Sequence, residues 1–301
     1  MAERKVILTI APTGGMADRT VTPHLPTQPE EIAEDVYRCW QAGASVVAVH
    51  ARRPDDGATC DPEIYRQIND LIRERCDIIV NNSTGGGISG DMIATLPDGR
   101  REIAFSERIK GTLAGAEMCT FDPHIQCMHR GDLELLLDTS WSRCIQLAEA
   151  MKERGIKPEW EVMSLSDLNW VNELIALGYD EPPHYINIVL GTHKLMSGAT
   201  AYTPRNLQRF VEDLPEGAMF CVSAVGAAQL PASVHSLILG GQARVGLEDN
   251  IYYARGRLAT NVELVERMVR ILRELDLEPA TPAEARAMLG LRQPAAAEAG
   301  A

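Results

Sequence analysis

Residues 243–250 read Ala-Arg-Val-Gly-Leu-Glu-Asp-Asn, and no other stretch says as much about the fold. The apolar residues Ala243, Val245 and Leu247 alternate, which predicts a buried strand over residues 243–247. This strand ends in the polar residues 248–250, and a helical pattern begins near Thr260. Carboxylates that end a strand shortly before a helix are typical of catalytic groups in α/β enzymes. A solvated loop or a helix-capping cluster is the other interpretation of these two acids.

The strand-then-helix pattern recurs along the whole chain. Strands are predicted at residues 6–11, 45–50, 77–80, 116–120, 159–162, 185–190, 219–225 and 243–247, with helical patterns between them. Eight such units in 301 residues fit an α/β fold of the (β/α)₈ TIM barrel type. We predict one barrel domain over residues 1–291, with a short extra C-terminal helix from Thr281 and a disordered tail over 292–301.

A doubly wound open sheet is the rival architecture. Its dinucleotide-binding form carries G-x-G-x-x-G after the first strand, but here that loop reads Thr13-Gly14-Gly15. The sequence therefore does not support a dinucleotide site.

Composition limits the kinds of partner and compartment. The net charge of −13 argues against nucleic acid and anionic membranes, and no apolar run is long enough to span a bilayer. The N-terminus lacks the pattern of a signal peptide. The seven cysteines occur singly, without a C-x-x-C pair, which indicates reduced thiols in a cytoplasmic protein.

In a barrel, the loops that follow the strands meet at one mouth. Polar residues stand at most of these strand ends: Thr13, His50, Arg52, Ser83, Thr84, Thr120, Glu161, His193, Arg244, Glu248 and Asp249. Each residue by itself is weak evidence for a site, but the convergence of all of them at one opening predicts an active site.

Six motifs, in this order and spacing, resemble the β-keto acid cleavage enzymes, whose founding activity is 3-keto-5-aminohexanoate cleavage. They are Thr13-Gly14-Gly15, His50-Ala51-Arg52, Ser83-Thr84-Gly85-Gly86, Pro158-Glu159-Trp160-Glu161, Met196-Ser197-Gly198, and the segment from Gly240-Gly241 to Glu248-Asp249-Asn250. The resemblance covers residues 5–291. It implies a homotetrameric acyltransferase with a zinc-bearing TIM barrel, which condenses a β-keto acid with acetyl-CoA to give acetoacetate and a new acyl-CoA.

The resemblance also implies roles for individual residues. His50 and Glu248 correspond to zinc ligands, and Asp249, Glu161 and Arg244 to a triad that handles the proton. The substrate contacts implied are Ser83, Thr84, Gly85, Gly86 and Thr120, where the turn offers backbone N–H groups to a carboxylate. Zinc would polarise the keto group, and a carboxylate with a tuned pKa would remove the proton.

Two positions depart from the family pattern. The family has His-x-His at the second strand end, but Ala48 occupies the first position here, so the third protein ligand that catalytic zinc normally has is missing. His193 or Cys60 is a candidate replacement. Met16 stands where the aminohexanoate enzymes carry an acid, which argues against 3-keto-5-aminohexanoate as the substrate.

Two further functions remain open. A metal-dependent lyase or aldolase could use the same groups without CoA, and a catalytically degenerate barrel could bind acyl-CoA or keto acids as a sensor. Ala48 is the feature that favours the sensor.

Overall fold

The computed structural model describes residues 4–291. Within them, eight parallel strands form one sheet, and helices surround it. In chain order the barrel strands are β1 (Leu8–Ile10), β2 (Val46–Val49), β3 (Ile79–Asn82), β4 (Met118–Phe121), β5 (Lys157–Val162), β6 (His184–Leu190), β7 (Ala218–Ala224) and β8 (Ala243–Val245). The helices are α1 (Pro29–Gln41), α2 (Pro62–Arg73), α3 (Phe105–Arg108), α4 (Trp141–Arg154), α5 (Asp167–Ala176), α6 (Pro204–Glu212), α7 (Gln229–Ile238), α8 (Asn261–Glu274) and α9 (Pro282–Leu289).

The order of the strands confirms the TIM barrel. Neighbours in the sheet run β7-β6-β5-β4-β3-β2-β1-β8, so each strand pairs with the next one in the chain, and β8 pairs back onto β1. The remaining gap lies between β7 and β8, where the Gln242 N–H donates to the Phe220 carbonyl at 2.7 Å. The barrel is therefore nearly closed. The division into a barrel domain and a tail stays a prediction, and residues 292–301 lie outside the described residues.

The barrel interior changes from apolar to polar along the strands. At the N-terminal ends a buried cluster joins Ile7, Val46, Ile79, Met118, Tyr185 and Cys221 to Ala280, Ala285 and Leu289 at and beside α9. Because side chains alternate along a strand, the residues two positions further on share that face, and they are Ala48, Asn81, Thr120, Asn187 and Ser223. The helix α9 thus covers the apolar end, and the polar end opens at the mouth.

The strand β8 ends at Val245, two residues earlier than predicted. Gly246 has a φ of +149°, and a Cβ built on it would lie 2.0 Å from the Ala11 carbonyl oxygen. The backbone therefore passes too close to the loop after β1 to continue as a strand. Instead it turns, with the N–H groups of Asp249 and Asn250 donating to the Gly246 carbonyl. The turn presents residues 248–250 at the mouth.

A four-stranded sheet that was not predicted lies beside the barrel. Its members in chain order are Ile93–Thr95, Arg101–Ile103, Ile125–Arg130 and Leu133–Asp138. Two small hairpins also appear, Ala51–Arg52 with Ala58–Thr59 and Tyr252–Ala254 with Arg257–Leu258. All these segments lie in loops that follow barrel strands, so they add walls to the mouth.

The seven cysteines are all free, as the sequence predicted. Six are buried, and Cys127, on the strand Ile125–Arg130, is half-buried. None of the helices in residues 4–291 combines the length and apolar character that crossing a bilayer requires.

Candidate active site

The guanidinium of Arg244 is the centre of the site. It is 3% exposed, and its Nε donates to Asp249 Oδ2 at 3.0 Å. Its Nη2 donates to Glu248 Oε1 at 2.7 Å and to Asp249 Oδ1 at 3.2 Å. Its Nη1 lies 3.5 Å from Glu161 Oε1, across the barrel on β5. One buried cation therefore joins the three carboxylates that the sequence predicted to face a common cavity.

His50 completes this group from the end of β2. Its Nε2 lies 3.5 Å from Glu248 Oε1, and the other oxygen of that carboxylate is buried without a hydrogen-bond partner. The loop after β1 packs on the same side chain, since a Cβ on Gly14 would lie 2.6 Å from Glu248 Cγ. Only glycine at position 14 allows this approach, because its φ of +67° also disfavours side chains.

Glu161 is held by a chain of hydrogen bonds on its other side. Asn187 Nδ2 donates to Glu161 Oε1 at 3.0 Å, and Ser223 Oγ donates to Asn187 Oδ1 at 2.8 Å. Asn187 on β6 and Ser223 on β7 are fully or almost fully buried. Consecutive strands thus fix the direction of the carboxylate toward Arg244.

The three carboxyl groups around Arg244 have pKa values that are shifted in different directions. Burial raises the pKa of Asp249, although the nearby Arg244 opposes it. Burial, with the charge of Asp122, raises the pKa of Glu161 well above its usual range. Burial alone would raise the pKa of Glu248, but the charges of Arg244 and His50 outweigh it and lower it to about 2. One carboxylate is therefore held charged, while two others become stronger bases.

The glycine-rich turn after β3 is fixed by β4. The Thr84 N–H donates to Thr120 Oγ1 at 3.0 Å, and Thr84 Oγ1 donates to the Thr120 carbonyl at 2.6 Å. The Gly85 N–H donates to Ser83 Oγ at 3.1 Å. Two of the N–H groups that the sequence suggested for a substrate carboxylate are thus already bonded within the protein. Gly86, with a φ of +74°, continues the turn under Met92.

Asp122, a residue that the sequence reading missed, lies beside this turn. It follows β4, is 3% exposed, and its Oδ2 lies 3.3 Å from Nη2 of the fully buried Arg108. Arg108 Nε also donates to the Thr84 carbonyl at 2.8 Å. A Cβ on Gly85 would lie 3.2 Å from Asp122 Oδ2, so the acid faces the turn closely. The signal for Asp122 was its place at a predicted strand end.

Glu159 is a second acid whose role was missed. It is fully buried inside the barrel, where Asn81 Nδ2 and Cys221 Sγ donate hydrogen bonds to it. Burial raises its pKa. The sequence signal for Glu159 was its spacing of two residues from Glu161, because side chains at i and i+2 of a strand point to the same face.

The other predicted strand-end residues have structural contacts. Thr13 Oγ1 donates to the Pro26 carbonyl at 2.9 Å. Arg52, which is 4% exposed, donates to the carbonyls of Gly14, Ala17 and Asp56 and so fixes the loop after β1.

Neither candidate for a third zinc ligand joins His50 and Glu248. His193 is exposed on the loop after β6. The Cys60 thiol is fully buried and contacts the Ser83 carbonyl, and burial raises its pKa to about 12, which disfavours the thiolate that binds metal. Within residues 4–291, no three His, Cys, Asp or Glu side chains lie together as a metal-binding group.

Comparison with known proteins gives matches along the whole described chain. Residues 5–291 match the model of the beta-keto acid cleavage enzyme family. The chain is 34% identical over 291 residues to the 3-keto-5-aminohexanoate cleavage enzyme of Fusobacterium nucleatum, a match that covers 96% of this chain and 99% of that protein. It is 31% identical over 306 residues to the 3-dehydrocarnitine:acetyl-CoA trimethylamine transferase of Rhizobium meliloti, covering 96% and 97%.

A solved structure supports the fold. The binary complex of ObcA with oxaloacetate aligns with a TM-score of 0.71, covering 90% of this chain and 68% of that one. The sequence identity is 21%, so this likeness concerns the architecture of the barrel.

Proposed function

Because the chain belongs to the β-keto acid cleavage enzyme family, we propose that it condenses a β-keto acid with acetyl-CoA and releases acetoacetate and a new acyl-CoA. The observation that carries the proposal is the grouping of Asp249, Glu161 and Glu248 around the single buried guanidinium of Arg244. Such a group can remove a proton and stabilise the negative charge that this creates.

The reaction exchanges one carbon–carbon bond for another. A base removes a proton from the carbon between the keto and carboxylate groups, and that carbon attacks the thioester carbonyl of acetyl-CoA, displacing the CoA thiolate. The thiolate then attacks the original keto carbonyl. The bond between that keto carbonyl and the α-carbon that made the attack breaks, giving the new acyl-CoA and an acetoacetate carbanion, which takes up one proton. The protein must therefore hold and return a single proton.

We assign the proton transfer to Asp249. Its carboxylate is fixed by two hydrogen bonds from Arg244, and its raised pKa makes it a stronger base than an exposed aspartate. The positive charge of Arg244 lies next to where the carbanion would form, so it offsets the developing negative charge.

Glu161 is proposed as the second member of the triad. The contact from Glu161 Oε1 to Arg244 Nη1, at 3.5 Å, is longer than the contacts of the other two acids, and burial and Asp122 raise the pKa of Glu161. A carboxyl with a raised pKa can exchange the transferred proton with Asp249, with the substrate between them, as negative charge develops and disperses during the reaction.

Ser83, Thr84, Gly85, Gly86 and Thr120 are proposed to receive the substrate carboxylate. Since Thr84 and Gly85 already use their N–H groups internally, the Ser83 hydroxyl and the Gly86 backbone are the donors that we assign to the substrate. Thr120 then acts by holding the turn.

The predicted zinc ion would have only His50 and Glu248 as protein ligands. The buried, unpartnered oxygen of Glu248 suits a cation, but two donors are one fewer than a catalytic zinc site normally has. This donor set does not fit a resident zinc ion, and the proton handling above is assigned to the chain's own residues.

Met16 guides the choice of substrate. It lies on the loop after β1 and is 40% exposed. A thioether has no charge to offer an ammonium group. We therefore propose a β-keto acid without an amine at that end. A cytoplasmic location stays a prediction from the singly occurring cysteines, and a homotetramer stays a prediction from the family resemblance.

The test is an assay of acetoacetate release from a panel of β-keto acids, with acyl-CoA products identified by mass spectrometry. Turnover must require acetyl-CoA. Replacing Asp249→Asn keeps the shape of the side chain but removes the base, so we expect the turnover number to fall by about 10²–10⁴-fold. Asp213→Asn, at the end of α6, is the matched control and should retain full activity.

Two outcomes would contradict the proposal. Free acid released without acetyl-CoA would indicate the lyase or aldolase. Binding of acyl-CoA without any turnover across the panel would indicate the sensor. If Asp249→Asn alone left turnover unchanged, the base would have to be another residue.

A further inference from the structure

A cavity beside the active site has no role in the chemistry described above. Its volume is about 590 Å³, and its walls include Leu230 and Pro231 at the start of α7, Tyr252 and Arg255 on the hairpin after β8, and Arg267 on α8. We call it the hairpin groove. Its size is that of a small-molecule site.

The hairpin groove comes next to the proposed catalytic residues at Asn250. Asn250 lines it and directly follows Asp249 in the chain. The N–H of Gly226, in the loop before α7, donates to the Asp249 carbonyl at 2.8 Å. A ligand in the groove could therefore extend one end to the triad along the rim of the barrel.

The walls of the groove carry positive charge in a strongly acidic chain. In the part of the chain that the structure describes, Arg257 pairs with Glu263, but Arg255, Arg267 and Arg270 form no ion pair with a carboxylate. Burial lowers the pKa of Arg267, and the neighbouring charges of Arg270 and Arg257 act in the same direction, whereas Tyr253 and Glu263 oppose the shift. Arg255 and Arg267 line the groove itself, and in a protein of net charge −13 two such arginines without a carboxylate partner indicate a site for an anion.

Tyr253 holds these arginines in position. The guanidinium carbons of Arg257 and Arg267 each lie 4.3 Å from its ring centroid. Arg267 Nη1 donates to the Tyr253 carbonyl at 2.6 Å, and Arg270 Nη2 donates to its hydroxyl at 3.2 Å. The hairpin is thus fixed against α8, whereas Arg255 is exposed and without a contact of this kind.

Acetyl-CoA has the matching chemistry. Its nucleotide end carries a diphosphate and a 3′-phosphate next to an adenine ring, and a long neutral arm joins this end to the thioester. Arginine binds phosphate oxygens bidentately, and an apolar wall with an exposed aromatic ring suits a base. Tyr252 is 48% exposed at this wall.

We propose that the hairpin groove binds the 3′-phosphorylated ADP end of acetyl-CoA, with Arg255 and Arg267 on the phosphates and the neutral arm passing Asn250 toward Asp249. This inference rests on the proposed function, because that function makes acetyl-CoA the co-substrate. It adds where the largest part of the co-substrate is recognised.

The experiment compares two acyl donors and two arginines. Arg255→Gln removes an exposed, unpaired guanidinium, and Arg209→Gln removes an exposed one on α6 as the matched control. Donors are acetyl-CoA and S-acetyl-N-acetylcysteamine, which has the thioester but no phosphates. For Arg255→Gln we expect the kcat/KM ratio of acetyl-CoA to the truncated donor to fall about tenfold, the loss expected for one charge-assisted hydrogen bond. The control should keep the wild-type ratio.

Calorimetry with 3′,5′-ADP separates this inference from the proposed function, since it needs no turnover. Wild-type binding that Arg255→Gln weakens supports the groove even if no β-keto acid reacts. A ratio and a 3′,5′-ADP affinity within twofold of wild type, in both Arg255→Gln and Arg267→Gln, would overturn it. So would Arg255→Gln changing the oligomeric state by light scattering while 3′,5′-ADP binding stayed the same, because the groove would then be an interface between copies.

Discussion

Ala48 is the single position where the site departs most from its family pattern. It is 2% exposed and lies two residues before His50 on the same face of β2. A histidine there would stand next to the His50–Glu248 pair. The third zinc ligand is therefore missing because of this one side chain, while the two predicted ligands His50 and Glu248 lie side by side.

This suggests a direct test of metal binding. We expect the wild-type protein to retain zinc at well below one ion per chain, and Ala48→His to raise this to about one, because three protein ligands then surround the ion. Elemental analysis after dialysis measures the change. Ala287→His, exposed on α9 at the opposite end of the barrel, is the control. A full zinc ion already in the wild type would mean that another donor joins His50 and Glu248.

How far residues could be predicted depended on whether they end a strand or lie inside one. Glu248 and Asp249 were found because they follow the end of β8, and Arg244, inside β8, was found because it belongs to the same recognisable motif. Glu159 lies deeper in β5 and makes its contacts with Asn81 and Cys221 on other strands. Such contacts depend on the register between strands, which a single sequence does not give.

At the scale of elements, Asn261 shows how α8 is tied to the mouth. As the first residue of α8, it accepts a hydrogen bond from the Leu247 N–H at 2.9 Å and donates to the Pro12 carbonyl at 3.2 Å. It also donates to Asp35 Oδ2 on α1 at 2.5 Å. One amide thus joins β8, the loop after β1 and α1. Burial raises the pKa of Asp35 to about 6, although this hydrogen bond and Arg38 oppose it and Glu34 adds to it.

The raised pKa makes stability depend on pH in a defined direction. In the unfolded chain an aspartate has a pKa of about 3.9, so between about pH 4 and pH 6 the folded protein binds more protons, and its free energy of unfolding falls as pH rises. Above pH 6 Asp35 is charged in the folded protein, and the free energy of unfolding is lowered by the full cost of burying that charge. We expect Asp35→Asn to raise the free energy of unfolding at pH 7 by about 1 kcal/mol, after allowing for partial exposure, and to flatten this pH dependence.

Urea unfolding at pH 4.5 and pH 7 measures the effect. Glu34→Gln, next to Asp35 but in exposed ion pairs with Arg38 and Arg75, is the control and should leave the pH dependence in place. A variant Asp35→Asn that is less stable than wild type at pH 7 would show that the charge is favourable here.

The barrel strands could be predicted because they are continuous apolar runs, but the sheet beside the barrel could not. Its strands alternate only partly, and several residues on them are exposed. One signal was available: Gly131 and Asp132 separate two short runs, and Gly131 has a φ of +59°, as a tight hairpin turn requires.

At the scale of the whole molecule, stability and catalysis occupy opposite ends of the barrel. The helix α9 closes the apolar end with Ala285 and Leu289, and Arg286 fixes it by donating to Glu117 Oε2 at 2.6 Å and to the Asp77 carbonyl. The proposed catalytic residues lie at the other end, with Glu161 and Arg244 near the C-terminal ends of β5 and β8 and Asp249 just after β8.

We therefore expect Leu289→Ala to lower the free energy of unfolding by about 2–4 kcal/mol, the usual cost of a cavity in a packed core, with kcat/KM changed less than twofold. Urea unfolding and the acetoacetate assay measure the two effects. Leu177→Ala, at an exposed leucine after α5, should change neither. An equal loss of activity and stability in Leu289→Ala would show that the two ends are coupled.

The burial of six cysteines has a practical consequence. Cys127 is the one cysteine that is not buried, and its backbone bonds to Ser197 in the loop after β6. A maleimide fluorophore applied to the native protein would therefore attach at one place, on a wall of the mouth. The chain carries its own labelling position for following ligand arrival by emission intensity, without an engineered cysteine.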